Sequence, residues 1–178
     1  MAGLLRAEFS FNGIPLRQKF GVTVAHVHDS IFPAARARKI MIPGKDGRYD
    51  YGVRNREERS LILDCNIARI LSRAELRELS YLLSDKGEIR LWNEPDKYYI
   101  GQLYNPEELQ KVGLGQREFS LDFTCEPFAY GEQKVEELAY GSNTISYNGT
   151  ASSPPLIILK NTGTEPIKNV QITALYKK

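Results

Sequence analysis

The sequence predicts a mainly β protein with one helix laid against its sheet and a second, shorter β segment towards the C-terminal end. Three observations carry this. Apolar and polar residues alternate in stretch after stretch, as in Phe9 and Phe11, in Leu61, Leu63, Cys65 and Ile67, and in Phe119, Leu121, Phe123 and Cys125; that is the period of a half-buried strand. Turn-forming pairs such as Asn12-Gly13 and Asp46-Gly47 stand between the stretches, and these residue types accept the positive φ of tight turns. Only the segment after Ser72 follows helical spacing.

In chain order, Leu5 to Asn12 alternate and run into Asn12-Gly13, which predicts an opening hairpin. A strand is expected from Phe20 to Val27, with Val22, Val24, His26 and His28 on one face, and Pro33 closes it. Arg38 to Met41 enter, and Arg48 to Val53 leave, a loop of Pro43, Gly44, Lys45, Asp46 and Gly47. Two glycines at its tip permit a sharp reversal, so the loop is expected to project. A long strand is expected from Glu57 to Ile67.

Ser72 followed by Glu75 has the spacing of a reciprocal cap, and Leu76, Leu79, Leu82 and Leu83 form a stripe. The helix is expected from about Arg73 to Ser84, with Gly87 as a left-handed cap beyond it. Strands are expected again at Glu88 to Trp92, Tyr98 to Tyr104 and Gln116 to Thr124, with a turn at Asn93 to Asp96 and a loop at Asn105 to Gly115. Pro127 has no amide proton and stops the last pairing. After Gly131 the texture changes: short strands are expected at Val135 to Tyr140, Thr144 to Tyr147, Leu156 to Leu159 and Val170 to Thr173. The expected division is a first domain over 1–131 and the start of a second over 132–178, a stretch too short for an ample core of its own.

The 178 residues contain 24 Lys and Arg against 22 Asp and Glu, a formal charge of +2, so no global field draws the chain to nucleic acid or anionic lipid. The basic residues Arg36, Arg38, Lys39, Arg48, Arg54 and Arg56 are interrupted by Asp46, Asp50, Glu57 and Glu58 and read as a mixed solvated surface. Cys65 and Cys125 lie in apolar alternating runs and read as buried thiols, not as a disulfide framework. No apolar run approaches the roughly 20 residues of a membrane span, and the N-terminus lacks the pattern of a secretory leader, so the expectation is synthesis and retention in the cytoplasm until release.

His26 and His28 share a strand face, but no third ligand stands out, and no metal is expected. Neither a nucleophile elbow nor a phosphate-cradling loop is present: Gly44-Lys45-Asp46-Gly47 lacks the following Lys-Ser or Lys-Thr. No pair among the acids is singled out for glycosidic chemistry. Trp92, Tyr98, Tyr99 and Tyr104 raise a sugar-stacking platform as an alternative to ordinary strand packing. No catalytic residue and no cofactor is expected.

Several of these features resemble, in order along the chain, the distal tail protein family of long-tailed bacteriophages. They are the opening strand with Phe9, Phe11 and Gly13, the run from Ile42 through Pro43, Gly44, Lys45, Asp46, Gly47 and Arg48 to Tyr49, and the strand to Ile67 with its helix. The exit Phe123-Thr124-Cys125-Glu126-Pro127-Phe128-Ala129-Tyr130-Gly131 completes the match. Tyr147-Asn148-Gly149-Thr150 and Pro154-Pro155-Leu156 resemble the opening of the galectin-like C-terminal domain of larger members, here truncated or reduced.

The resemblance implies a β-sandwich or split barrel with one packed helix, similar to tail-tube subunits, and no enzymatic activity. It implies a hexameric ring, single or stacked, that joins the tail tube to the tail-tip or baseplate hub in the virion and anchors receptor-binding protein. Pro43, Gly44, Lys45, Asp46, Gly47, Arg48 and Tyr49 are the expected inter-subunit contact loop. DNA would pass the ring without sequence-specific contact, and no membrane partner is implied. Another tail-tube or baseplate component of the same fold, and a carbohydrate-binding β module, are the alternatives.

Overall fold

A computed structural model of the chain describes residues 8–30, 32–36, 39–51, 55–104, 117–166 and 168–173. The architecture is mainly β, with ten strands and two helices among those residues. The strands are β1 (Phe9–Phe11), β2 (Ile14–Pro15), β3 (Val22–Asp29), β4 (Lys39–Met41), β5 (Arg48–Asp50), β6 (Arg59–Ile67), β7 (Gly87–Leu91), β8 (Lys97–Leu103), β9 (Glu118–Cys125) and β10 (Tyr130–Gly131); the helices are α1 (Leu16–Phe20) and α2 (Arg73–Leu82). An antiparallel eight-stranded sheet runs in the order β2-β1-β7-β8-β9-β6-β3, with β10 paired to β8. Among the described residues, β4 and β5 pair only with each other, in a separate ribbon.

The sheet curls around a single core, because Phe11 of β1 stacks on Phe123 of β9 at 6.0 Å although β7 and β8 lie between those strands in the sheet. Alternation delivers that core: every second residue of β6 and β9 (Leu61, Leu63, Cys65, Ile67; Phe119, Leu121, Phe123, Cys125) is buried. The expected sandwich or split barrel is thus one continuous curled sheet.

Local chemistry explains most boundaries. Asn12 and Gly13 both take positive φ (49° and 75°), so Phe11 pairs directly with Ile14 across the expected two-residue turn. Helix α2 starts where the capping pair predicts: the Ser72 side chain accepts from the Glu75 amide, and the Glu75 carboxylate accepts from the Ser72 amide at 2.8 Å. Leu79 and Leu83 are buried, with Leu76 and Leu82 packed beside them.

Four expectations are corrected. Phe20 belongs not to a strand but to a one-turn helix, α1, which buries Leu16 and Phe20 and ends at Gly21 (φ 75°). Gly87 does not cap α2; the helix ends at Leu83 in right-handed geometry, and Gly87 opens β7 under the Phe11 ring. Val22 and Val24 do not share a face with the histidines, because a bulge between Val24 and His26 shifts the register. Beyond it the parity reverses: Val22 and Val24 stay buried and His26 and His28 turn to solvent. Lastly, no strand forms among the described residues of 132–173. Strands need a hydrogen-bonded neighbour, and the apolar Leu156 and Ile158 there remain exposed.

The chain divides into two compact units, Met1–Glu137 and Leu138–Lys178. The first part of the opening strand (Leu5 to Ala7), Arg38, Arg54 and the expected loop at Asn105 to Gly115 lie outside the described residues.

Candidate functional site: a projecting hairpin arm

Between the end of β3 at Asp29 and the start of β6 at Arg59, the described residues form a short root ribbon and a separate tip hairpin off the main sheet, which together make an arm. Its root is a narrow ribbon. Ala35 bridges Arg56, the Arg36 amide donates to the Asn55 carbonyl at 3.0 Å, and the Glu57 amide donates to the Ala34 carbonyl at 2.8 Å. Arg36 grips Glu57 with two bonds, Nε to Oε1 at 2.8 Å and Nη2 to Oε2 at 3.1 Å. This fork holds the Glu57 carboxyl below its usual pKa. The Arg56 guanidinium lies 4.2 Å from the Phe32 ring centre. Arg36 and Arg56, read from sequence as scattered surface charge, are therefore the fastenings of the root.

At the tip, β4 and β5 pair Lys39 with Asp50, Ile40 with Tyr49 and Met41 with Arg48. The reversal uses the expected residues. The Lys45 amide donates to the Ile42 carbonyl at 3.1 Å while Gly44 takes φ 80°, the geometry of a type II turn with Pro43 ahead of the glycine. Gly47 takes φ 80° as well, and a Cβ at either glycine would meet nothing, so backbone conformation and not crowding selects glycine there.

Pro43, Gly44, Lys45, Asp46, Gly47, Arg48 and Tyr49 are thus brought together on one exposed tip. Lys45 Nζ lies 5.4 Å from the Tyr49 ring centre, and Tyr49 meets Tyr51 edge-on at 5.0 Å. Directly opposed strand residues share a face, so Ile40 and Tyr49 stand side by side. Ile40 is 40% exposed, Tyr51 55% and Met41, on the opposite face, 73%. Sequence reasoning singled out the turn but missed this apolar content. The alternation at Ile40 and Ile42 was the available signal, and it reads like any strand buried on a sheet.

The remaining candidate residues are dispersed over the sheet. His26 and His28 lie on its outer face, where His28 Nε2 is 2.8 Å from Asp64 Oδ2 and Ser120 donates to Asp64 Oδ1 at 2.7 Å. The Ser120 bond first, and then His28, hold the Asp64 carboxyl below its usual pKa. The Ser120 hydroxyl points at the carboxylate, so this is a surface network and not a nucleophile-base pair. No group of three or more metal-ligating side chains occurs among the described residues. Tyr98 and Tyr99 face opposite sides of β8: Tyr99 is 3% exposed and donates to Glu94 at 2.6 Å, while Tyr98 stacks on Tyr130 at 5.6 Å. Tyr98 and Tyr99 therefore share no stacking surface. Burial pushes the Cys65 and Cys125 thiols up to about 12, as suits inert core residues. No described helix is long and apolar enough to cross a membrane.

No family model and no curated protein matches the sequence. Among solved structures, the chain is similar to the crystal structure of the SPP1 Dit protein (gp 19.1), described as a paradigm of hub adsorption apparatus in phages infecting Gram-positive bacteria. The two share 22% identity with a TM-score of 0.53, over 71% of this chain and 52% of that one. This chain therefore spans about half the length of that structure, and over that stretch the two share a fold.

Proposed function

We propose that this chain is a structural subunit of a bacteriophage tail, a distal tail protein whose copies close into a hexameric ring between the tail tube and the tail-tip or baseplate hub. The observation that carries the reading is the arm: a ribbon with Ile40, Met41, Tyr49 and Tyr51 exposed, attached to the fold of a tail hub protein. A two-stranded ribbon cannot bury its own side chains, and exposed apolar surface of this kind marks a contact with another chain. In a cyclic assembly each subunit presents two different surfaces, and here one is the arm, reaching the next copy or the adjacent ring. Lys45, Asp46 and Arg48 supply polar contacts at its rim.

Under this reading the protein acts in the virion. Its work is binding and not catalysis, and interface burial of about 800 Å² per partner drives assembly without a cofactor. The lumen passes DNA with no sequence-specific contact. The neighbours along the tail axis are the tube protein and the tip hub, with receptor-binding protein held at the rim.

Light scattering followed by electron microscopy tests the ring. A hexamer or dodecamer with a central hole is expected, and deletion of Gly44 to Arg48 is expected to abolish it while the circular dichroism of the sheet stays unchanged. An intact ring from the deletion variant overturns the role of the arm; a persistent monomer with affinity for glycans overturns the hub.

A further inference from the structure

Residues 30–58 hang on two ends of the sheet, Asp29 at the close of β3 and Arg59 at the start of β6. Arg59 is the sole buried charged or polar residue among those described, at 6% exposure. Its Nη2 donates both to the Asp29 carboxylate and to the Ser30 carbonyl, so a side chain on one root of the arm is bonded to side chain and backbone of the other. The guanidinium also lies 4.9 Å from the centre of the Tyr99 ring, which is itself held by the bond to Glu94. Further out come Arg56 on Phe32 and then Arg36 on Glu57. Three arginines in succession therefore cross the gap between the two roots.

A buried ion pair gives little net stability over apolar side chains of equal volume, and the Arg59 Nε is buried with no hydrogen-bond partner among the described residues. Stability alone is a weak reason for a guanidinium at this place. Geometry is a stronger one, since a planar fork fixes direction as well as distance.

We propose that Arg59 is the positioning residue of the arm: bonded to Asp29 and Ser30 and braced by Tyr99, it locks the two roots in register so that the arm leaves the core preformed. The inference rests on the arm being a contact surface between subunits. A preformed arm loses less conformational freedom on docking than one that orders on contact.

Amide hydrogen exchange of the whole chain, read by NMR, tests this. The Arg36 and Glu57 amides, which make the root hydrogen bonds, are expected to be protected in the parent protein. In Arg59→Met and in Asp29→Asn their protection is expected to fall roughly tenfold or more, while the Leu63 and Leu121 amides in the middle of the sheet keep theirs. Asp29→Asn preserves shape and decides the matter where Arg59→Met does not fold. Protection unchanged at the root, protection lost equally in root and sheet, or failure of both variants to fold overturns the proposal. The tip deletion separately decides whether the arm reaches a neighbour.

Discussion

Two glycines show how a single missing Cβ sets the packing. At Gly87 a Cβ would lie 2.3 Å from Phe11 Cζ and 2.7 Å from Asn12 Oδ1, and at Gly101 it would lie 2.5 Å from Cys125 Sγ, on the residue directly opposite in β9. Each Gly→Ala change therefore overpacks the core and is expected to destabilise by about 1–3 kcal/mol in urea unfolding. The two sites differ in their remedy. Gly101→Ala is expected to cost clearly less in a Cys125→Ala background, because the clashing sulfur is gone; additive effects in that double-mutant cycle would show that the thiol is not what the glycine accommodates.

At the scale of one element, α2 depends on its first turn. Arg69 first, and then the amide and hydroxyl of Ser72, bond to the Glu75 carboxylate and lower its pKa to about 2 from an ordinary 4.5. A depressed folded-state value means that the ionised form stabilises the fold. The contribution is therefore complete above pH 4.5 and is lost as pH falls towards 2. Glu75→Gln is expected to flatten that part of the stability profile, measured by urea midpoints from pH 7 to pH 2; an unchanged acid limb would place the acid sensitivity elsewhere. Ser72→Ala removes the other half of the cap and is expected to cost about 1 kcal/mol at neutral pH. The bulge in β3 is the complementary case. By reversing the side-chain parity after Val24 it lets one strand bury valines at one end and bring Asp29 to Arg59 at the other, with both histidines outside.

At the scale of the whole molecule, every core-cluster residue among those described lies between Phe9 and Cys125. None of them is a described residue of the unit Leu138–Lys178. Ending the chain after Glu137 is therefore expected to leave the melting temperature of the sheet within about 2 °C of the parent, and a drop of 10 °C would reveal core contacts from the C-terminal unit. Since none of the described residues of the arm belongs to that core cluster, the tip deletion tests assembly without testing folding.

The sequence by itself determined whatever depends on neighbours along the chain. Alternation marked β6 and β9, Asn12-Gly13 set the first turn, Ser72 with Glu75 set the start of α2, and Pro43-Gly44 with Gly47 set the reversal at the arm tip. These are local effects, so residue order carries them. Tertiary structure decided the rest. Whether alternating apolar residues are buried depends on what lies across from them, so Ile40 and Tyr49 stand exposed while Leu63 and Leu121, with the same pattern, are in the core. Helix α1 is too short to be stable alone and exists because Leu16 and Phe20 are buried. The parity of β3 turns on one bulge that no spacing rule announces. The bonds from Arg59 to Asp29 and Ser30 join residues about thirty positions apart, which only the folded chain brings within reach.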